Sequence, residues 1–90
     1  MYSIFVTHRF KKDYKKLSDK DKITFKKVIT KLSKNIALDK KFKDHKLSGN
    51  WNNCRECHLK PDLLLIYSKN KSIMEIALIR VGSHSSLFQK

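Results

Sequence analysis

Leu63-Leu64-Leu65-Ile66-Tyr67 is an unbroken apolar run. It lies between Lys60-Pro61-Asp62 and the polar stretch Ser68-Lys69-Asn70-Lys71-Ser72. A run with no polar position reads as a central strand covered on both faces. Pro61 belongs to the turn ahead of it, because a proline inside a central strand would break the ladder. Trp51 to Leu59, of mixed polarity, reads as the strand before it, and Ile73 to Val81, ended by Gly82, as the strand after. Short connections join the three, which predicts an antiparallel meander.

The chain ahead of this meander reads as a strand and two helices. Tyr2 to Val6 is short, β-branched and aromatic. Thr7 is placed to cap a helix in which Phe10, Tyr14 and Leu17 share a face. Ser18 starts a second helix, with Asp21 three residues on as its capping-box partner. Phe25, Val28, Ile29 and Leu32 recur at i, i+3, i+4, i+7, one buried stripe. The periodicity fades from Asn35 to Asn50, which reads as a loop, and Ser83 to Lys90 reads as a short tail. The expected fold is α+β in the order β-α-α-β-β-β, with two helices on one face of a small, mostly antiparallel sheet. The first strand must join an edge or pair parallel with a distant strand. The 90 residues make one domain, 1–90.

Charge narrows the partners. Lys and Arg number 21 against 8 Asp and Glu, a formal net charge of +13. A domain with that excess attracts polyanions: nucleic acid, the ribosome or an acidic protein. The lysines around the helices read as solvated faces that add non-specific affinity. No apolar run approaches the roughly 20 residues of a membrane helix, and MYSIFVTHRF has no export-signal pattern. The expected location is the cytoplasm, without a membrane partner, where Cys54 and Cys57 stay reduced.

Cys54-Arg55-Glu56-Cys57-His58 matches the C-x-x-C-H pattern of haem attachment letter for letter. The residues after it read as β hairpins, unlike a helical cytochrome. On a strand, positions i and i+3 point to opposite faces, so the two thiols would not meet. Zinc would need more converging ligands than one CxxC supplies. The expectation is two half-buried cysteines, with no metal and no cofactor.

His45, His58 and His84 lie near turns or strand ends, where imidazoles can converge for acid–base work at neutral pH. Arg80, late in the last strand, has the fork that binds phosphate. Asp62, at the start of the central strand, is placed to orient a histidine.

The pattern DHxLxGxWxxxRExHxxPDxLLIY…RxGxHxxLF, running from Asp44-His45 to Leu87-Phe88, resembles the YafQ-type branch of the RelE/ParE toxin superfamily. The likeness is close over the second half of the chain; the first half agrees in element order and basic character. The resemblance implies a single RelE-like toxin domain of a type II toxin–antitoxin system. It implies an endoribonuclease that enters the ribosomal A site, cuts messenger RNA and is neutralised by a cognate acidic antitoxin. The family's catalytic residues fall on His45, His58, Asp62, Arg80 and His84. Its C-terminal aromatic falls on Phe88, and Arg55 and Lys46 join Phe88 as expected substrate-binding residues. Some members carry tryptophan after the Pro-Asp pair, where this chain has Leu63. A ParE-like toxin that blocks DNA gyrase, or a plain RNA- or ribosome-binding module, would share the charge; three histidines argue for the nuclease.

Overall fold

The computed structural model describes residues 1–88. Strand β1 (Ser3–Val6) leads into helices α1 (His8–Lys15) and α2 (Asp19–Ser33). Strands β2 (His45–Lys46), β3 (Arg55–Lys60), β4 (Leu63–Asn70) and β5 (Glu75–Gly82) follow, then a short helix, α3 (His84–Phe88). One five-stranded sheet has the order β1-β5-β4-β3-β2. β1 pairs parallel with β5 at one edge, and every other pairing is antiparallel.

Local chemistry sets the helix starts. Thr7 Oγ1 accepts the Phe10 N–H at 3.2 Å, and Ser18 Oγ accepts that of Asp21 at 3.1 Å. The Asp21 carboxylate does not close a capping box; it meets Lys60 Nζ at 3.1 Å, tying α2 to β3. Thr7 Oγ1 also donates to the Leu78 and Ile79 carbonyls at 2.8 and 3.2 Å, which fixes the start of α1 on β5.

β4 lies at the centre of the sheet, with Leu64, Leu65 and Ile66 fully buried. Burial on that scale contributes about 1.5–3 kcal/mol per side chain. Its alternate residues feed two cores. Leu63, Leu65 and Tyr67 meet Phe10, Phe25, Val28 and Leu32 under α1 and α2. Leu64 and Ile66 meet Leu87 on the opposite face, with Leu47, Trp51, Cys54, Ile79 and Phe88 around them. The expectation of two covered faces therefore holds, but two helices cover only one. The second cover is α3, within the stretch read as a tail; Gln89 and Lys90 lie outside the described residues. The expected loop likewise contains 3-10 turns at Lys40–Phe42 and Gly49–Trp51 and the two-residue strand β2. Trp51 leaves the strand it was assigned to because it folds into the second of these turns. β4 runs on to Asn70, and β5 begins at Glu75, later than the expected Ile73.

The two cysteines separate as expected, although Cys54 lies just ahead of β3 rather than on it. Cys57 is buried under the helices, and Cys54 packs on the other face. Burial pushes the Cys57 thiol up to about 12 and raises that of Cys54. At pH 8 an alkylating reagent should spare Cys57 in the folded protein, modify Cys54 slowly, and take both thiols in denaturant. Mass spectrometry of adducts against time reads this, and two adducts at the denatured rate would contradict the placement.

Behind β3, Asp44 Oδ1 accepts from Tyr67 Oη at 2.7 Å and from Arg55 Nε at 3.3 Å. Burial, then this bond, raises the Tyr67 pKa. Tyr67→Phe should cost about 1–2 kcal/mol, the worth of a hydrogen bond to a charged group that keeps a second donor. Urea unfolding checks the figure; an unchanged midpoint would mean the bond contributes nothing.

Candidate active site

On β3, Cys57 and Leu59 face the helices, so the alternate residues Glu56 and His58 face the other way. β2 then sets His45 opposite Glu56. Glu56 Oε1 lies 3.5 Å from His45 Nε2 and 3.4 Å from His58 Nε2, and the two rings are 6.5 Å apart between centroids. Glu56 is 5% exposed, a buried carboxylate under two imidazoles. Both separations are longer than the usual direct hydrogen bond, and each becomes an ion pair only when its imidazole is protonated. The other ring nitrogens face backbone: His45 Nδ1 is 2.6 Å from the Lys43 carbonyl, and His58 Nδ1 is 3.4 Å from that of Pro61. Each ring thus meets oxygen at both nitrogens; a neutral imidazole donates to one, an imidazolium to both.

His84 opens α3. Its backbone N–H donates to Asp62 Oδ1 at 3.2 Å, so the β3–β4 turn braces the start of α3. The sequence placed the Asp62 carboxylate beside an imidazole; in the structure it holds the His84 backbone. Ser83 Oγ accepts from Ser86 N at 3.2 Å and completes the cap. Gly82 lets α3 come this close: a Cβ there would stand 2.7 Å from Ser86 Oγ and 3.3 Å from Leu87 Cδ2. The His84 ring lies 5.4 Å from Phe88, and Phe88 meets Trp51 edge-on at 5.9 Å. His84 is exposed at the end of this aromatic row.

Arg80 owes its place to a bulge. Ile76 and Leu78 point under the helices, and plain alternation would send Arg80 after them. The register slips instead: Tyr67 pairs with Leu78 and Ile66 with Arg80, leaving Ile79 as the extra residue. Val81 takes the next core position, and Arg80 escapes it. Ladder pairing puts Glu56, Ile66 and Arg80 in one row, so Arg80 lies two strands from Glu56, about 10 Å at the usual strand spacing. Arg80 Nε donates to Asp13 Oδ2 at 2.6 Å and Nη2 to Asp13 Oδ1 at 3.1 Å, which raises the Arg80 pKa further.

The remaining expected residues separate. Phe88 joins His84. Arg55 and Lys46 instead line a groove of about 910 Å³ near Asp44, Tyr67 and Lys69, which His45, His58 and His84 do not line. His45 and His84 are exposed and His58 is half-buried, and these imidazoles offer acid–base chemistry that the groove lacks. Leu63 is buried under the helices and has no face for a base. Glu56 and Asp13 were missed as site residues. Glu56 had a signal, sharing a strand face with His58 two residues on; Asp13, in a lysine-rich helix, had none. Among the described residues, no group of three or more His, Cys, Asp or Glu is placed to hold a metal ion, and no helix is long and apolar enough to cross a membrane.

Known proteins share this fold. Residues 2–89 match the family model described as bacterial toxin of type II toxin-antitoxin system, YafQ. The mRNA interferase toxin YafQ of Escherichia coli strain K12 is 36% identical over 70 residues, 77% of this chain and 74% of that protein. A metal-bound toxin from Helicobacter pylori superposes with a TM-score of 0.86 at 41% identity, covering 98% of this chain and all of that one (100%). The E. coli DinJ-YafQ complex contains a chain that superposes with a TM-score of 0.83 at 30% identity, over 98% of this chain and 99% of that one. By match across nearly its whole length, with the fold and order of elements in agreement, the chain belongs to the YafQ family of bacterial type II toxin–antitoxin toxins.

Proposed function

We propose that this chain is an endoribonuclease that cuts messenger RNA on the ribosome, in the cytoplasm, and is silenced by an acidic antitoxin. The observation that carries the reading is the convergence of His45 and His58 on buried Glu56, with Arg80 in the same sheet row and His84 at the head of α3. Relatives known as mRNA interferases support the substrate.

The chemistry needs three groups. The ribose 2′-oxygen attacks the adjacent phosphorus while a base takes its proton. The bond from phosphorus to the 5′-oxygen breaks, and an acid protonates that oxygen. A cation holds the charge on the phosphoryl oxygens meanwhile. The products are a 2′,3′-cyclic phosphate and a 5′-hydroxyl, and no step runs through a metal. His45 or His58 serves as base, and Glu56 stabilises the imidazolium that forms, as the carboxylate of a protease triad does. His84 serves as acid. Asp62 acts on it through the backbone, by fixing where α3 begins. Arg80 binds the phosphate. Phe88 is set to stack a base beside the scissile bond, while its edge-on contact with Trp51 holds the ring. The cationic groove with Lys46 and Arg55 holds more distant RNA backbone.

Expression of the chain with mapping of messenger ends tests the reading, and His84→Ala makes it specific. His84 is exposed, so alanine should cost less than about 1 kcal/mol. As the general acid it should slow cleavage roughly 10²–10⁴-fold. Full activity with an unchanged melt would remove His84 from the mechanism, whereas lost activity with a collapsed melt would make it structural.

The charge of +13 makes antitoxin capture electrostatic. The association rate should fall by about tenfold or more between low and high salt, with a smaller change in dissociation. Stopped-flow mixing reads it, and a salt-independent association rate would exclude charge-driven recruitment.

A further inference from the structure

We infer that Asp13 is a positioning residue for RNA cleavage, and that it orients the Arg80 guanidinium so that one edge stays open for the scissile phosphate. The inference rests on Arg80 as the phosphate ligand proposed above.

Asp13 is the one acidic residue of α1, and Lys11, Lys12, Lys15 and Lys16 surround it in sequence. Its carboxylate nonetheless pairs with Arg80 across the fold. Both oxygens are used. Oδ2 accepts Arg80 Nε at 2.6 Å and Oδ1 accepts Nη2 at 3.1 Å. Oδ2 also accepts the backbone N–H of Val81 at 3.2 Å. Asp13 therefore grips the side chain of one residue and the backbone of the next. β1 pairs with β5 only as far as Leu78, so the Val81 N–H lies beyond the last parallel pair and Asp13 fills that vacant edge.

The edge of the guanidinium that Asp13 occupies is informative. Arginine offers five N–H donors in a rigid plane. Asp13 takes the side edge, Nε and one Nη2 hydrogen. Among the described residues nothing takes the end edge, with the second Nη2 hydrogen and both of Nη1, and two parallel donors there match two oxygens of a phosphate. A free arginine must lose the freedom of a long side chain before it can make that contact. Here the freedom is already lost, because both Arg80 and Asp13 have side chains only 14% and 13% exposed. The Ile79 bulge lifts Arg80 out of the core, and Asp13 then sets its plane.

An orienting residue acts on the rate of the bound complex more than on its formation. The test is single-turnover cleavage of messenger RNA on programmed ribosomes by Asp13→Ala, Asp13→Asn, Arg80→Ala and Arg80→Lys, and by Asp13→Ala combined with Arg80→Lys. Asp13→Ala should lower the limiting rate roughly 10–100-fold and leave the half-saturating toxin concentration within about threefold. A lysine has no plane to orient, so adding Asp13→Ala to Arg80→Lys should cost less than about threefold more. A parallel melt of each variant gives the fold's share. Asp13→Asn, of equal shape, keeps an acceptor for Val81 and should still lose rate if the alanine variant fails to fold. Wild-type rate in Asp13→Asn and Asp13→Ala beside a dead Arg80→Ala would reduce Asp13 to a staple between α1 and β5. An equal rate loss from Asp13→Ala in the arginine and lysine backgrounds would also overturn the orienting role. Wild-type rate in Arg80→Ala would remove the phosphate role, and the orienting role with it.

Discussion

A strand that is apolar at every position has no solvent face, and a small domain must find two covers for it. Here two helices supply one. The other is assembled from short pieces: the Gly49–Trp51 turn, Leu47 and Cys54 before β3, and α3 at the chain's end. None of these folds alone, since a five-residue helix is far below the length that holds itself together in water. Leu87 on Leu64 and Ile66 holds α3 down, Asp62 and Ser83 satisfy its first amides, and Gly82 gives it room. The requirement to bury the second face of β4 thus brings the last histidine to the same face as the first two.

That cover is incomplete, and the site lies where it stops. Toward β2 the face is closed by His45 and His58 in place of hydrophobic side chains, and beneath them Glu56 is buried with two imidazoles for company. A lone carboxylate in such a place would be costly, and removing both imidazoles would leave it so. The cluster is thus both a lid and the place where the proposed chemistry is set. The opposite end of the row is held by a second buried pairing, Asp13 with Arg80. Arg80 and the imidazoles of His45 and His58 are thus each set against a carboxylate before any substrate arrives.

Much of this was legible in the sequence, for identifiable reasons. Periodicity revealed α1 and α2, and Thr7 and Ser18 marked their starts through side-chain oxygens that bond three residues on. The Leu63–Tyr67 run named the central strand. What stayed hidden depends on long-range geometry. β2 is two residues long and exists because His45 and Lys46 meet β3. α3 has no amphipathic repeat to show and exists because β4 needs it. The Ile79 bulge follows from a register slip between two strands, and Asp13 finds Arg80 across 67 residues of chain. The three histidines and Arg80 could be picked out one by one; of the carboxylates that meet them, Asp62 was read as a partner, Glu56 left a trace in the alternation of β3, and Asp13 left none.

The bulge also explains how a single strand serves both core and site. Before Ile79, β5 buries Ile76 and Leu78 under the helices; after it, Val81 does so. Without the extra residue, the strand would present Arg80 to that core, and burying an unpaired guanidinium there would cost several kcal/mol. With it, the apolar residues stay inside and the arginine meets the last turn of α1, where Asp13 waits. The same slip leaves the Val81 N–H where the Asp13 carboxylate can take it. One inserted residue therefore settles three matters at once: the core keeps its alternation, the free edge past β1 finds an acceptor, and the Arg80 guanidinium acquires a carboxylate partner.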